Sequence, residues 1–94
     1  MDKTFYQQFE TPCLVIDEQI VKKNINDMQN TADKAKCNLR PHVKTHKMPY
    51  FAKMQIDAGA CGITSCKVSE AEVMADGGVT DIFIYKGRCI CRPK

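Results

Sequence analysis

Short apolar runs alternate with amphipathic helical patterns along this 94-residue chain, and that alternation constrains the fold more than any other feature. Cys13-Leu14-Val15-Ile16 reads as a first strand, opened by Thr11-Pro12 and ended by Asp17. A helix is predicted from 18 to about 36. Its apolar positions Val21, Ile25, Met28, Ala32 and Ala35 recur at helical intervals, while Lys22, Lys23, Asp27, Asp33 and Lys34 fill the other face. A second strand at 38–46 gives way at Pro49, which suits the first turn of a helix that stops at Gly59 and turns Phe51, Met54 and Ala58 inward. A third strand at 62–66 precedes a helix with Ser69 as the expected N-cap and Glu72 reaching back to it. That helix ends at Gly77-Gly78, and 81–85 forms the last strand.

Strand–helix alternation with short connections predicts an α/β fold on a parallel sheet. Strand starts recur at roughly 20 residues, as in a β/α barrel, but a closed barrel takes eight such units and about 250 residues. The chain is therefore expected to hold a partial (β/α) TIM-type barrel.

The balance of 44% hydrophobic and 27% charged residues is that of a globular domain. A net charge of +3 with no Trp and 7% aromatics argues against nucleic acid as a partner. No apolar run approaches the ~20 residues of a membrane helix, and the first ten residues lack the apolar centre of a secretory signal. Six cysteines without a scaffold rhythm read as free thiols in a reducing compartment, so the expected location is cytoplasmic. Cys61, Cys66, Cys89 and Cys91 miss the usual zinc-knuckle spacing. A small zinc-binding or basic interaction protein stays as an alternative.

Much of the basic character falls in Arg40-Pro41-His42-Val43-Lys44-Thr45-His46-Lys47. If this segment is extended, Arg40, His42, Lys44 and His46 share one face. Such a row has no value for packing. Crowding by cations eases deprotonation of a lysine, which is what covalent attachment to a carbonyl cofactor requires. Lys44 is accordingly the candidate anchor. His42 and His46 would pair on a metal only if helical, and Pro41 and Pro49 argue against that, so no metal ligand is assigned. Glu70 and Glu72 read as helix-start residues, and Ser65 and Cys66 either face a cofactor or simply pack.

The same eight residues resemble a motif of the fold type III pyridoxal-phosphate enzymes. Within these the likeness is to D-threonine aldolase and eukaryotic-type D-serine dehydratase, grouped with the alanine racemase N-terminal domain. Thr11-Pro12-Cys13-Leu14-Val15-Ile16-Asp17 is similar to the family's opening strand, and Ile63-Thr64-Ser65-Cys66-Lys67-Val68-Ser69-Glu70-Ala71-Glu72 to its strand followed by a Glu-Ala-Glu helix start. The resemblance implies that Lys44 bonds pyridoxal 5'-phosphate at the end of the first barrel strand, with Arg40 fixing polar groups of the cofactor and His42 beside its ring. It places the strand at 13–16 outside the barrel, against a β domain made by later sequence. Residues 1–85 would be the N-terminal part of the barrel domain and 86–94 a divergent basic tail. A metal ion of the zinc or manganese class is expected only in the missing C-terminal part. The implied function is a fragment of a lyase acting on small D-amino acids, inactive alone, from a family that can form homodimers; a racemase fragment or a non-catalytic cofactor carrier are the alternatives within reach.

Overall fold

Five regular elements follow one another in the computed structural model, which describes residues 7–85: α1 (Glu18–Lys34), α2 (Pro49–Asp57), β1 (Ile63–Ser65), α3 (Val68–Asp76) and β2 (Ile82–Ile84). The expected tail at 86–94, with Cys89 and Cys91, lies outside the described residues.

β1 and β2 pair in parallel, Ile63 against Ile82 and Ser65 against Ile84. The connection between them is α3, which makes a β-α-β unit. On its other side β1 accepts and donates bonds to the segment before α2: Cys61 N–H to Leu39 O at 2.9 Å, Thr64 N–H to Pro41 O at 2.8 Å and Val43 N–H to Thr64 O at 2.9 Å. His42 thereby forms a parallel bridge with Thr64. β1 is the central line of a small parallel sheet, as the alternation predicts. The α/β class holds; two strands and a bridged segment do not by themselves define a barrel.

One face of this sheet is covered. Val43, Ala52, Ile63, Met74 and Val79 form the buried cluster, with Ile56 and Ile82 packed against it. The core thus takes residues from α2, α3, both strands and the bridged segment. Pro49 sits in the first turn of α2, where its missing N–H costs no hydrogen bond, and Gly59 follows the helix at φ +126°, outside the range of other residues. α2 has two working sides. Phe51 and Ala52 are buried, whereas Met54 and Ala58 face Lys22, Ile25 and Asn26 of α1 across a shallow cavity of about 250 Å³.

Three expectations need correction. Residues 13–16 form no strand among the described residues, and Leu14 is 87% exposed: an apolar run becomes a strand only when something pairs with it. On α1 the buried side chain is Gln29, while Met28 is 57% exposed. Val21, Ile25 and Ala32 are half-buried as their spacing predicts, and Gln29 joins that face against Gly59, where a Cβ would meet Gln29 Cδ at 3.2 Å. Finally, α3 begins two residues earlier than the Ser69–Glu72 pair requires. Its N-cap is Lys67, which makes no side-chain cap, and Glu70 occupies the third helical position.

Candidate cofactor-anchoring site

In parallel α/β sheets the carboxyl ends of the strands, where loops begin, are where side chains converge on ligands. Here those ends are Val43, Ser65 and Ile84. Lys44 comes directly after Val43 and is exposed. Its amine makes no hydrogen bond or ion pair among the described residues, so it is available to a carbonyl group.

The row of four basic side chains expected on one strand face is not what forms. The extended alternation ends at Val43, because Lys47 N–H turns back to Val43 O at 2.8 Å and residues 44–46 become a turn, with Lys47 at φ 56°. Inside that turn the histidines bond to the backbone. Lys44 N–H donates to His42 Nδ1 at 3.2 Å, and Met48 N–H to His46 Nδ1 at 2.9 Å. His46 Nε2 lies 3.2 Å from Gln55 Oε1, and its ring meets Phe51 edge-on at 5.7 Å.

Arg40 works at the other end of the strands. Its guanidinium donates to Ile63 O at 3.0 Å and Asp81 O at 3.4 Å, and pairs with the Asp81 carboxylate at 2.8 Å. These contacts tie the bridged segment to the starts of β1 and β2. The charge that sequence reasoning placed beside Lys44 is therefore matched by Asp81.

A second cluster sits where β1 ends. Glu70 is buried and accepts from Ser65 Oγ at 3.0 Å, Cys66 N–H at 3.2 Å and Cys66 Sγ at 3.7 Å. Burial alone would raise its pKa. The Cys66 amide, the Ser65 hydroxyl, the Cys66 thiol and the nearby His42 together outweigh burial, so the carboxyl is held below its ordinary value. Beside it lies an open depression of about 200 Å³ lined by Lys47, Lys67, Ser69, Glu70 and Val73. Sequence reasoning took Glu70 for a cap and missed this cluster. A carboxylate four residues after a Ser-Cys strand end was the available signal, since that distance lets a third-position helix residue reach back to the strand.

The residues present fit part of what pyridoxal 5'-phosphate needs. Lys44 offers the amine, and Lys47 and Lys67 offer cations for an anionic group; an open depression does not enclose a cofactor. Among the described residues no group of three or more His, Cys, Asp or Glu side chains comes together as a metal site.

The described residues form a small α/β unit with an exposed lysine at the carboxyl ends of its parallel strands, and comparison with known proteins adds a family likeness. The chain is similar to fold type III pyridoxal-phosphate enzymes, in agreement with the motif at residues 40–47. It is 44% identical over 75 residues to D-threonine aldolase of Arthrobacter sp., covering 80% of this chain and 20% of the aldolase. It is 45% identical over 73 residues to D-threo-3-hydroxyaspartate dehydratase of Delftia sp., covering 78% and 19%. The crystal structure of D-threonine aldolase from Filomicrobium marinum superposes with a TM-score of 0.75 at 42% identity, over 78% of this chain and 20% of that one. The chain thus spans about a fifth of the length of the relatives it matches. No family model matches it.

Proposed function

We propose that this chain is the N-terminal part of a pyridoxal-phosphate lyase acting on D-amino acids, with Lys44 as the residue that carries the cofactor. The observation that carries the reading is the position of Lys44: an exposed amine, unpaired among the described residues, just beyond the segment that bridges in parallel to β1. The similar proteins are named for D-threonine and D-threo-3-hydroxyaspartate, and D-serine dehydratase of Schizosaccharomyces pombe is also similar. All three amino acids carry a hydroxyl on Cβ, so a β-hydroxy D-amino acid is the substrate class proposed.

In this reading the described strands and the bridged segment are the first three of a barrel, residues 1–85 its N-terminal part, and residues 13–16 await a partner in later sequence. When bound, the cofactor supplies the electron sink into which a bond at the substrate's Cα or Cβ breaks. Lys44 supplies the amine that holds it. His42, whose Nδ1 accepts from the Lys44 amide, is the residue proposed to lie beside the cofactor ring. Arg40, with its donors on Asp81 and the Ile63 carbonyl, keeps the strand starts in register and so sets the depth of Lys44. Any resident metal and a dimer contact would belong to the larger part of the relatives that this chain does not match. Cys13, Cys37, Cys61 and Cys66 are free thiols, which suits a cytoplasmic setting, and no helix among the described residues is long and apolar enough to cross a membrane.

Titration with pyridoxal 5'-phosphate, read by imine absorbance and by zinc content, tests the proposal. Weak binding that Lys44→Arg displaces, without loss of D-threonine, is expected. Bound zinc with cysteines protected from alkylation and no imine signal would replace it with the interaction-protein reading.

A further inference from the structure

We propose that His42 and His46 are positioning residues that lock the turn carrying Lys44, each through an unprotonated Nδ1. The inference rests on Lys44 as the anchor for its purpose, and on hydrogen-bond geometry for its substance. On either side of the turn stands the same bond, donated by an amide to the ring nitrogen two residues before it: Lys44 N–H to His42 Nδ1 and Met48 N–H to His46 Nδ1. Neither amide has a carbonyl acceptor among the described residues. Between the two locks the chain closes from Lys47 N–H to Val43 O, and Lys47 takes a left-handed conformation that a residue with a side chain holds only when its surroundings impose it.

A neutral imidazole has one donor and one acceptor, so an accepting Nδ1 puts the proton on Nε2. The other end of His46 requires the same arrangement. Its Nε2 faces Gln55 Oε1, an atom that can only accept. Both contacts of that ring are satisfied by one tautomer and by no other neutral form. Protonating either Nδ1 replaces the acceptor with a second donor facing an N–H, and the lock opens.

The groups that face the rings set how each responds to acid. Glu70 of α3 faces His42, while Lys44 follows it in the turn. Gln55 and Phe51 of α2 face His46; neither titrates, and Gln55 accepts from Nε2 in either ring state. The positively charged Lys47 is its chain neighbour. Acid therefore frees the segment 44–48, and with it the direction in which Lys44 leaves the sheet.

Asparagine separates this role from simple packing. Its side-chain oxygen reaches the amide two residues on, as in an Asx turn, and does not titrate. Alanine cannot make the bond. The experiment measures histidine ring nitrogens by NMR, and exchange of the Lys44 and Met48 amides against pH, corrected for intrinsic exchange, in the 94-residue chain and in H42N, H42A, H46N and H46A. Expected are Nε2–H tautomers for both rings at neutral pH. Protection of the two amides should fall about tenfold as the rings protonate, persist in acid in the Asn variants, and be lost at every pH in the Ala variants. A neutral ring with its proton on Nδ1, or equal protection in Asn and Ala variants, would overturn the proposal. Neither readout needs the cofactor. Intact locks beside a Lys44 no more reactive toward pyridoxal 5'-phosphate than other lysines would remove the anchor and keep the locks; the opposite pattern would remove the locks alone.

Discussion

Glu70 shows how much one side chain can settle at the residue scale. It accepts from the Cys66 amide and the Ser65 hydroxyl where β1 passes into α3; Glu70→Ala leaves the half-buried Cys66 amide without that acceptor, while the Ser65 hydroxyl keeps Lys67 O at 2.9 Å. A loss of roughly 1–3 kcal/mol is expected, read as a lower urea midpoint. The pH dependence follows from its folded-state pKa, which lies below the unfolded one. Such a group contributes stability that is complete above its unfolded pKa and disappears as pH falls through the folded value. On the acid side of the ordinary carboxylate range the wild-type midpoint should drop, and Glu70→Gln should lack that part of the drop. A Glu70→Gln curve parallel to wild type would contradict the assignment. The role proposed for Lys44 rests on residue type and motif, which are read directly from the sequence. Glu70 was not legible there, because its role depends on where α3 begins, and Ser69 offered a more familiar start two residues later.

At the scale of elements, punctuation residues were legible and facings were not. Pro49, Gly59 and Gly77 mark helix boundaries through backbone chemistry that acts locally. The burial of Gln29 in place of Met28 and the turn at 44–47 depend on contacts with other elements, which periodicity does not report. The junction of the bridged segment with β1 and β2 carries a direct prediction. A Cβ on residue 62 would stand 2.6 Å from Arg40 Nη1 and 2.7 Å from Asp81 O. The arginine end could shift, but a strand carbonyl cannot do so without breaking Ile63 N–H to Asp81 O. Gly62→Ala should therefore cost about 1–3 kcal/mol by calorimetry or urea unfolding. Asp81→Ala should cost less, about 1 kcal/mol or below, because the carboxylate of this ion pair is 61% exposed.

For the molecule as a whole, apolar surface is the deciding quantity. The radius of gyration is 16.4 Å, against about 12 Å for a compact domain of this length. Leu14, Val15, Ile16 and Ile20 are exposed, as are Phe83, Ile84 and Tyr85 on and after β2, which has one paired side among the described residues. An open strand edge with exposed apolar side chains recruits other chains. The chain should associate with rising concentration in sedimentation velocity, and Ile84→Lys should reduce that association; concentration-independent monomers would contradict it. The exposed edge accords with a chain that spans about a fifth of the length of the relatives it matches. The central claim, that Lys44 is the cofactor-bearing residue, is most directly tested by a time course of borohydride reduction in the presence of pyridoxal 5'-phosphate, with adducts mapped lysine by lysine. Lys44 should acquire the label ahead of the other lysines, including the likewise exposed Lys22 and Lys53; labelling that follows exposure alone, with Lys44 no faster than those two, would contradict the account.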